Sequence, residues 1–446
     1  MVAVRRRTTG VVAPNYTLAD VHTLSEQNQD PQWLRDMRES AWGVYESLPM
    51  PTTQDEAWRR TNYQSIRWNE AEKLIPANGA SLSTVPAYRL EPLVGEGEGG
   101  RLVFVDGKLV DYTFNDAVKA QGVVFTDLST ATKTHENLIR SNLMTKAVLP
   151  TDGKFAALHG ALWNYGAVLV VPRNKAIEVP FHIVIYNTHA GASFGHVLII
   201  LEENAQATVQ VEYASADTSE QATYIGATEL LVGDGANLKY VALQDWNRKT
   251  YEFSHQRARV GRDANLDWIV GTMGSKLTKA QLEIEIDGLG STARMSGFFF
   301  ADKDQHFDLD TQQNHNAPRT VSDLLFKGAS KDDARTVWQG MIKSLPDMQK
   351  IDGYQVCRNL MLSDTTRMDA IPGLEIEADD VKCSHAATFG TLEEHILFYL
   401  MSRGIPRQQA QLMVIDGFFD ELLQRVPFER VRERLKEAIE AKILGA

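Results

Sequence analysis

Cys383 and His385 stand two positions apart near the C-terminal end of the chain. On a β-strand, side chains at i and i+2 share a face. A thiolate and an imidazole would then point the same way, and that pair suits iron, zinc or copper. The same spacing also suits a buried thiol beside a hydrogen-bonded core histidine. Two ligands do not complete a metal or cluster site, so the rest would have to come from another chain.

A second set lies upstream. His306 and His315 flank Asp308 and Asp310. Two carboxylates on one strand face are what a glycoside-cleaving β-helix enzyme would need for acid and base. Polar groups at strand ends, satisfied by hydrogen bonds, account for them better. Gly95, Gly97 and Gly100 spell G-x-G-x-x-G, but the run after them, Arg101–Val105, reads as a strand where a dinucleotide loop needs a helix. Gly271-Thr-Met-Gly-Ser-Lys276 comes nearest to a phosphate-cradling loop and has the wrong spacing. ATP chemistry is not expected in this chain.

Composition narrows the classes. Forty-six Lys and Arg against 58 Asp and Glu leave a formal charge of −12, which disfavours nucleic acid and anionic membrane as partners. Two cysteines in 446 residues cannot build a disulfide framework or a four-thiolate site within one chain. No apolar run is long enough for a membrane helix, and no apolar core follows Arg5, Arg6 and Arg7 as a signal peptide requires. A reduced, cytoplasmic setting is expected.

Four regions are expected. Residues 1–100 are an N-terminal helical region and linker. Asp30-Pro31 opens a helix with an apolar face of Trp33, Leu34, Met37, Ala41, Val44 and Tyr45, and Thr53 to Glu56 has a capping-box pattern. Residues 101–165 are a mixed α/β lead-in. Residues 166–388 lose helical periodicity and carry a repeat: a polar turn, a small residue, then alternating strand residues. The small residues are Ala205, Ala236, Ala264 and Ser291, spaced by 31, 28 and 27. That period with β alternation means a solenoid whose coils share a core, best a right-handed parallel β-helix. Extending the repeat puts Asp379 at the small position, so Val381, Cys383 and His385 match Ala207, Val209 and Val211. Cys357 lies near one period before Cys383, either stacked beside it or simply buried. Residues 389–446 are a C-terminal helical domain. Its helix over Leu392–Met401 stops near Gly404 and Pro406, and a last helix carries Phe428, Val431, Leu435 and Ile439. The fold class is thus mainly β with helical ends.

Several segments resemble the SufB/SufD family of iron–sulfur cluster assembly proteins. They are Pro51–Trp58, Asp308–Asp323, Phe326–Arg335, Asn359–Asp364 and, most specifically, Ile371–Gly390 with Leu397–Ile405. Cys383-Ser-His385-Ala386-Ala-Thr388 looks like the SufD branch, with Ala386 where a glycine is usual. The resemblance implies a non-catalytic assembly subunit that pairs with a SufB-like chain through the β-helix. It also implies a SufC-like ATPase docked on the C-terminal helices, for which Leu397, Phe398, Leu412, Phe418 and Phe419 are the candidate contacts. Cys383 and His385 would face the SufB-like partner and hold a transient iron–sulfur cluster or iron shared with it, with no permanently bound cofactor. A SufB-like homodimeric scaffold is the alternative within the family. The carbohydrate-active β-helix enzyme is a remote one.

Overall fold

The computed structural model describes residues 13–68, 74–75, 79–95 and 97–444. Arg5, Arg6 and Arg7, used above, lie outside them. Among the described residues, twenty strands form two ten-stranded sheets. From Gly195 onward the chain alternates between the sheets, and every pairing between successive coils is parallel. This is a β-solenoid of about 8 turns, with helices at both ends of the chain.

The turns explain the repeat. The residue before each small position has left-handed backbone: Asn204 (φ 56°), Gly235 (φ 68°), Asp263 (φ 54°) and Gly290 (φ 76°). Glycine, asparagine and aspartate enter that region at least cost. The small residue follows at the inner corner, and Ala205, Ala236, Ala264 and Ser291 are all fully buried. One strand per coil then stacks in register, Gln206 beside Asn237 beside Asn265 beside Thr292.

Alternation is weaker than the sequence suggests, because both faces of each sheet are covered. The inner faces meet in one core containing Val209, Tyr240, Trp268, Met295 and Leu324. The outer face of one sheet packs on the N-terminal elements through Val168, Leu198, Ile225 and Phe253. The outer face of the other packs on the C-terminal helices through Val241, Ile269, Phe298 and Leu325. Hence Ala222–Val232 is buried along its whole length. Strands buried on both faces read as continuous apolar runs.

At the N-terminal end, helices occupy Leu18–Gln27 and Gln32–Ser47. Pro31 takes the N-cap position, and Asp30 serves differently. Its buried carboxylate accepts from Arg38 Nε at 2.8 Å, and Arg38 Nη1 donates to the Trp163 carbonyl at 2.7 Å. Beyond Ser47 the described residues include short 3₁₀ turns at Glu56–Trp58, Leu82–Thr84 and Ala87–Arg89 with irregular chain between them, so the expected helical region is not continuous there. Trp58, Tyr63, Ile66 and Trp68 are buried one by one against the solenoid, without a common helical stripe. The expected capping box at Thr53 is replaced by the Thr52 N–H donating to Asp55 Oδ2 at 2.7 Å, and Glu56–Trp58 is a single 3₁₀ turn.

The C-terminal helices are Glu394–Ser402, Arg407–Leu423 and Glu429–Leu444. Gly404 (φ 85°) follows the first, as its left-handed cap position demands. The last is pinned to the solenoid by a buried carboxylate. Glu212 accepts from Arg434 Nη2 at 2.6 Å, Arg89 Nη1 at 3.1 Å and Gln210 Nε2 at 2.7 Å, and His182 Nε2 lies 3.3 Å away. Burial opposes the Glu212 charge, but His182, Arg434 and Arg89 outweigh it and hold the carboxyl well below its usual 4.5. A depressed carboxyl contributes stability fully above the unfolded value and loses it as pH falls. Glu212→Gln is therefore expected to cost about 3 kcal/mol at neutral pH, since it removes the buried counter-charge shared by Arg434, Arg89 and His182. The difference from the parent should shrink once the pH falls below 4.5. Thermal unfolding of both chains across that range checks it; equal melting temperatures at neutral pH would exclude the role.

Candidate functional site at the open end of the solenoid

Cys383 and His385 lie on Lys382–Thr391, the last strand of one sheet. The last strand of the other is Arg367–Ile376. Each pairs with the preceding coil on one side only, so its other edge is open. The pair does occupy one face, with Cys383 in register with Gly353 and His385 with Gln355. Both of those are inward-facing and buried. Because no coil stacks beyond, Cys383 is only half-buried and His385 is exposed.

The expected register was two residues off. Following the ladder back, Cys383 stacks in the column of Ala207 and His385 in that of Val209. Val381, not Asp379, takes the small-residue corner, as the Lys382 N–H donating to the Ile351 carbonyl shows. A two-residue shift preserves the face, whereas a one-residue shift would reverse it. Ala386 sits inside the strand and is not among the residues with positive φ, so alanine costs nothing there.

The two thiols differ. Cys357 does not stack on Cys383; it pairs with Phe326 and Ala387 inside the core. Burial pushes it up to about 12, despite a contact with Asn359 Oδ1 at 3.6 Å. It is an inert structural thiol. Burial also raises the Cys383 thiol, the Gly353 N–H opposes that, and the Asp352 charge adds to it.

Asp308 and Asp310 share one buried lysine. Lys279 Nζ, itself buried, lies 3.1 Å from Asp308 Oδ1 and 2.6 Å from Asp310 Oδ2. Thr61 Oγ1 also donates to Asp308, and Gln339 Nε2 to Asp310 at 2.8 Å. One lysine thus faces two carboxylates, burial raises Asp310 to about 6, and the cluster ties the N-terminal segment to the solenoid through Thr61. His306 stands two positions from Asp308, where burial lowers its pKa to about 4 against the Asp308 charge, and His315 stands at the other end of His306–His315. Gly100 opens the strand Gly100–Val105, which turns back into Lys108–Phe114, so no helix follows to cradle a pyrophosphate. Among the described residues no group of three or more His, Cys, Asp or Glu could hold a metal ion.

The proposed ATPase contacts separate into two kinds. Phe419 is fully buried and Leu397 is 1 % exposed, so neither can face a partner. Phe419 lies on the stripe with Ile415 and Leu422 that packs on the solenoid. Phe418 and Leu412 are half-buried, and Phe418 packs edge-on to Phe419 at 5.0 Å. Phe398 is 73 % exposed. Tyr399, Met401 and Met413 are exposed too and went unnoticed in the sequence. Nothing in the sequence marks which helix face the solenoid covers.

Two family models match the chain. The N-terminal region of SufBD proteins matches residues 19–183, and the SufBD core domain of the SUF system for FeS cluster assembly matches residues 184–418. The chain belongs to the SufB/SufD family of iron–sulfur cluster assembly proteins. It is 30% identical to iron–sulfur cluster assembly protein SufD of Bacillus subtilis, over 94% of this chain and 96% of that one. Against SufB of the same organism the identity is 27%, over 92% of this chain and 89% of that one. A SufBD family protein of Mycobacterium tuberculosis is 34% identical over 66% of this chain and 75% of its own length. Membership of the SufB/SufD family makes the chain an assembly protein and leaves the carbohydrate-enzyme alternative without support. No described helix is long and apolar enough to cross a membrane.

Proposed function

We propose that this chain is the SufD-type subunit of a cytoplasmic complex with a SufB-like chain and a SufC-like ATPase, and that the complex builds iron–sulfur clusters. The observation that carries the reading is the open end of the solenoid. Two ten-residue edge strands there, Arg367–Ile376 and Lys382–Thr391, each leave their outer edge unpaired. Natural sheets protect such edges, or use them to pair with another chain. A SufB-like solenoid end is the partner of matching form. Cys383 and His385 then lie in the seam, where partner residues complete the ligand set for a nascent cluster or for iron. The cluster is cargo, and the chain is a scaffold wall that itself catalyses nothing.

The ATPase docks on the exposed apolar face of the C-terminal helices, at Phe398, Tyr399, Met401 and Met413. Aromatics and methionines are enriched in interface cores. Co-expressed with SufB-like and SufC-like chains, the protein is expected to elute in one complex. Phe398→Asp should retain the SufB-like chain and lose the ATPase. Retention of the ATPase by that variant would remove Phe398 from the docking face, and elution alone would remove the subunit role.

A further inference from the structure

Far from the open end, three titratable side chains meet where the N-terminal layer packs on the solenoid, and the function proposed above uses none of them. His159 lies on the helix Lys154–Leu162, His196 on the strand Gly195–Leu201, and Glu229 on Ala222–Val232 in the next coil. All three are fully buried. They form one chain of contacts. His159 Nδ1 stands 2.9 Å from the Ile225 carbonyl, His159 Nε2 3.0 Å from His196 Nδ1, and His196 Nε2 3.1 Å from Glu229 Oε1. At its far end the Met144 N–H donates to Glu229 Oε1 at 2.7 Å and the Val148 N–H to Oε2 at 3.1 Å.

The contacts fix a proton count. Each hydrogen bond needs one proton. The Ile225 carbonyl only accepts, so His159 Nδ1 donates to it. A second proton lies between the two rings. Those two are all that a pair of neutral imidazoles carries, and the gap between His196 Nε2 and Glu229 Oε1 needs a third. Without it a ring lone pair would face a carboxylate inside a fully buried site, a costly arrangement in a low local dielectric. The surrounding charges do not supply a substitute. Burial, His196, and then His255 and Arg38 keep His159 from taking a charge. Arg38, on the helix Gln32–Ser47, is paired with Asp30. His255 and Arg257 come from the next strand, Thr250–Val260, and Arg257 is paired with Asp152 and Glu283. Burial outweighs the backbone donors and Arg257 and raises Glu229 to about 8, while it lowers His196 to about 3. At neutral pH the third proton therefore resides on Glu229.

We propose that His159, His196 and Glu229 form a one-proton lock, in which a single shared proton fastens the helix Lys154–Leu162 to two successive coils and its loss in alkaline solution weakens that junction. The sign follows from the direction of the carboxyl. A carboxyl raised on folding stabilises fully below its unfolded value, 4.5, and that contribution is lost as pH rises through its folded value, about 8. The lock is independent of Cys383, His385 and any partner chain.

Urea unfolding of the full-length chain and of Glu229→Gln, repeated across pH, tests the lock. Glutamine cannot titrate. The parent's folding equilibrium constant, taken relative to that of the variant, should fall tenfold per pH unit from 4.5 to about 8 and level off above. A merely structural role for Glu229 would lower the variant by the same factor at every pH, and a ratio that does not change with pH overturns the proposal. If Glu229→Gln fails to fold, ¹⁵N-histidine spectra of the unaltered chain decide. His159 and His196 should both be neutral with the proton on Nδ1 at neutral pH, and His196 should respond as pH rises through about 8. Either ring carrying its proton on Nε2 alone, or no response of His196 near that pH, overturns the lock.

Discussion

His385→Ala is expected to leave the folded chain and its complex intact and to reduce cluster content to background. The two halves of that expectation have different causes. His385 lies on the outermost strand, exposed, with no coil stacked over it. Substitutions at such positions change stability by less than about 0.5 kcal/mol. Its imidazole, in contrast, is one of very few ligand groups this chain offers at the open end; Cys383 is its neighbour on the same face. Losing one ligand of an incomplete set costs the cluster more than it costs the fold. Iron and sulfide content, with the visible absorption of the anaerobically reconstituted complex, provides the measurement. Normal cluster content in a complex of unchanged composition would sink the ligand role.

The repeat was legible where its turns used residues suited to left-handed backbone, Asn204, Gly235, Asp263 and Gly290. Further on, the same conformation is held by Arg319 (φ 57°) and Lys350 (φ 64°), and the corner residues become Thr320, Ile351 and Val381. The signature fades, so extrapolating by period stopped two residues short. Cys383 and His385 still came out on one face because the period of side-chain direction is two. The buried chain of His159, His196 and Glu229 was beyond reach, because it joins a helix and two strands and no local pattern links them. The C-terminal helices show the same limit. Phe398 and Phe419 are alike in sequence, and only the solenoid's position makes one exposed and the other core.

The largest effect on stability is expected in the middle of the stack. Trp268 is fully buried on the strand Asn265–Thr272, with the Tyr240 ring edge-on at 6.0 Å. Its indole N–H makes no hydrogen bond, so its contribution is packing alone. Trp268→Ala is expected to cost about 3–5 kcal/mol through lost burial and an unfilled cavity. Stacked coils exchange stability mainly with their neighbours, so a weak interior coil uncouples the two halves of a solenoid. Urea unfolding should therefore show a lower midpoint and a broader or two-step transition, while His385→Ala unfolds like the parent. A midpoint unchanged by Trp268→Ala would mean that the interior repacks around the void, against the close packing that fixes the register beneath Cys383 and His385.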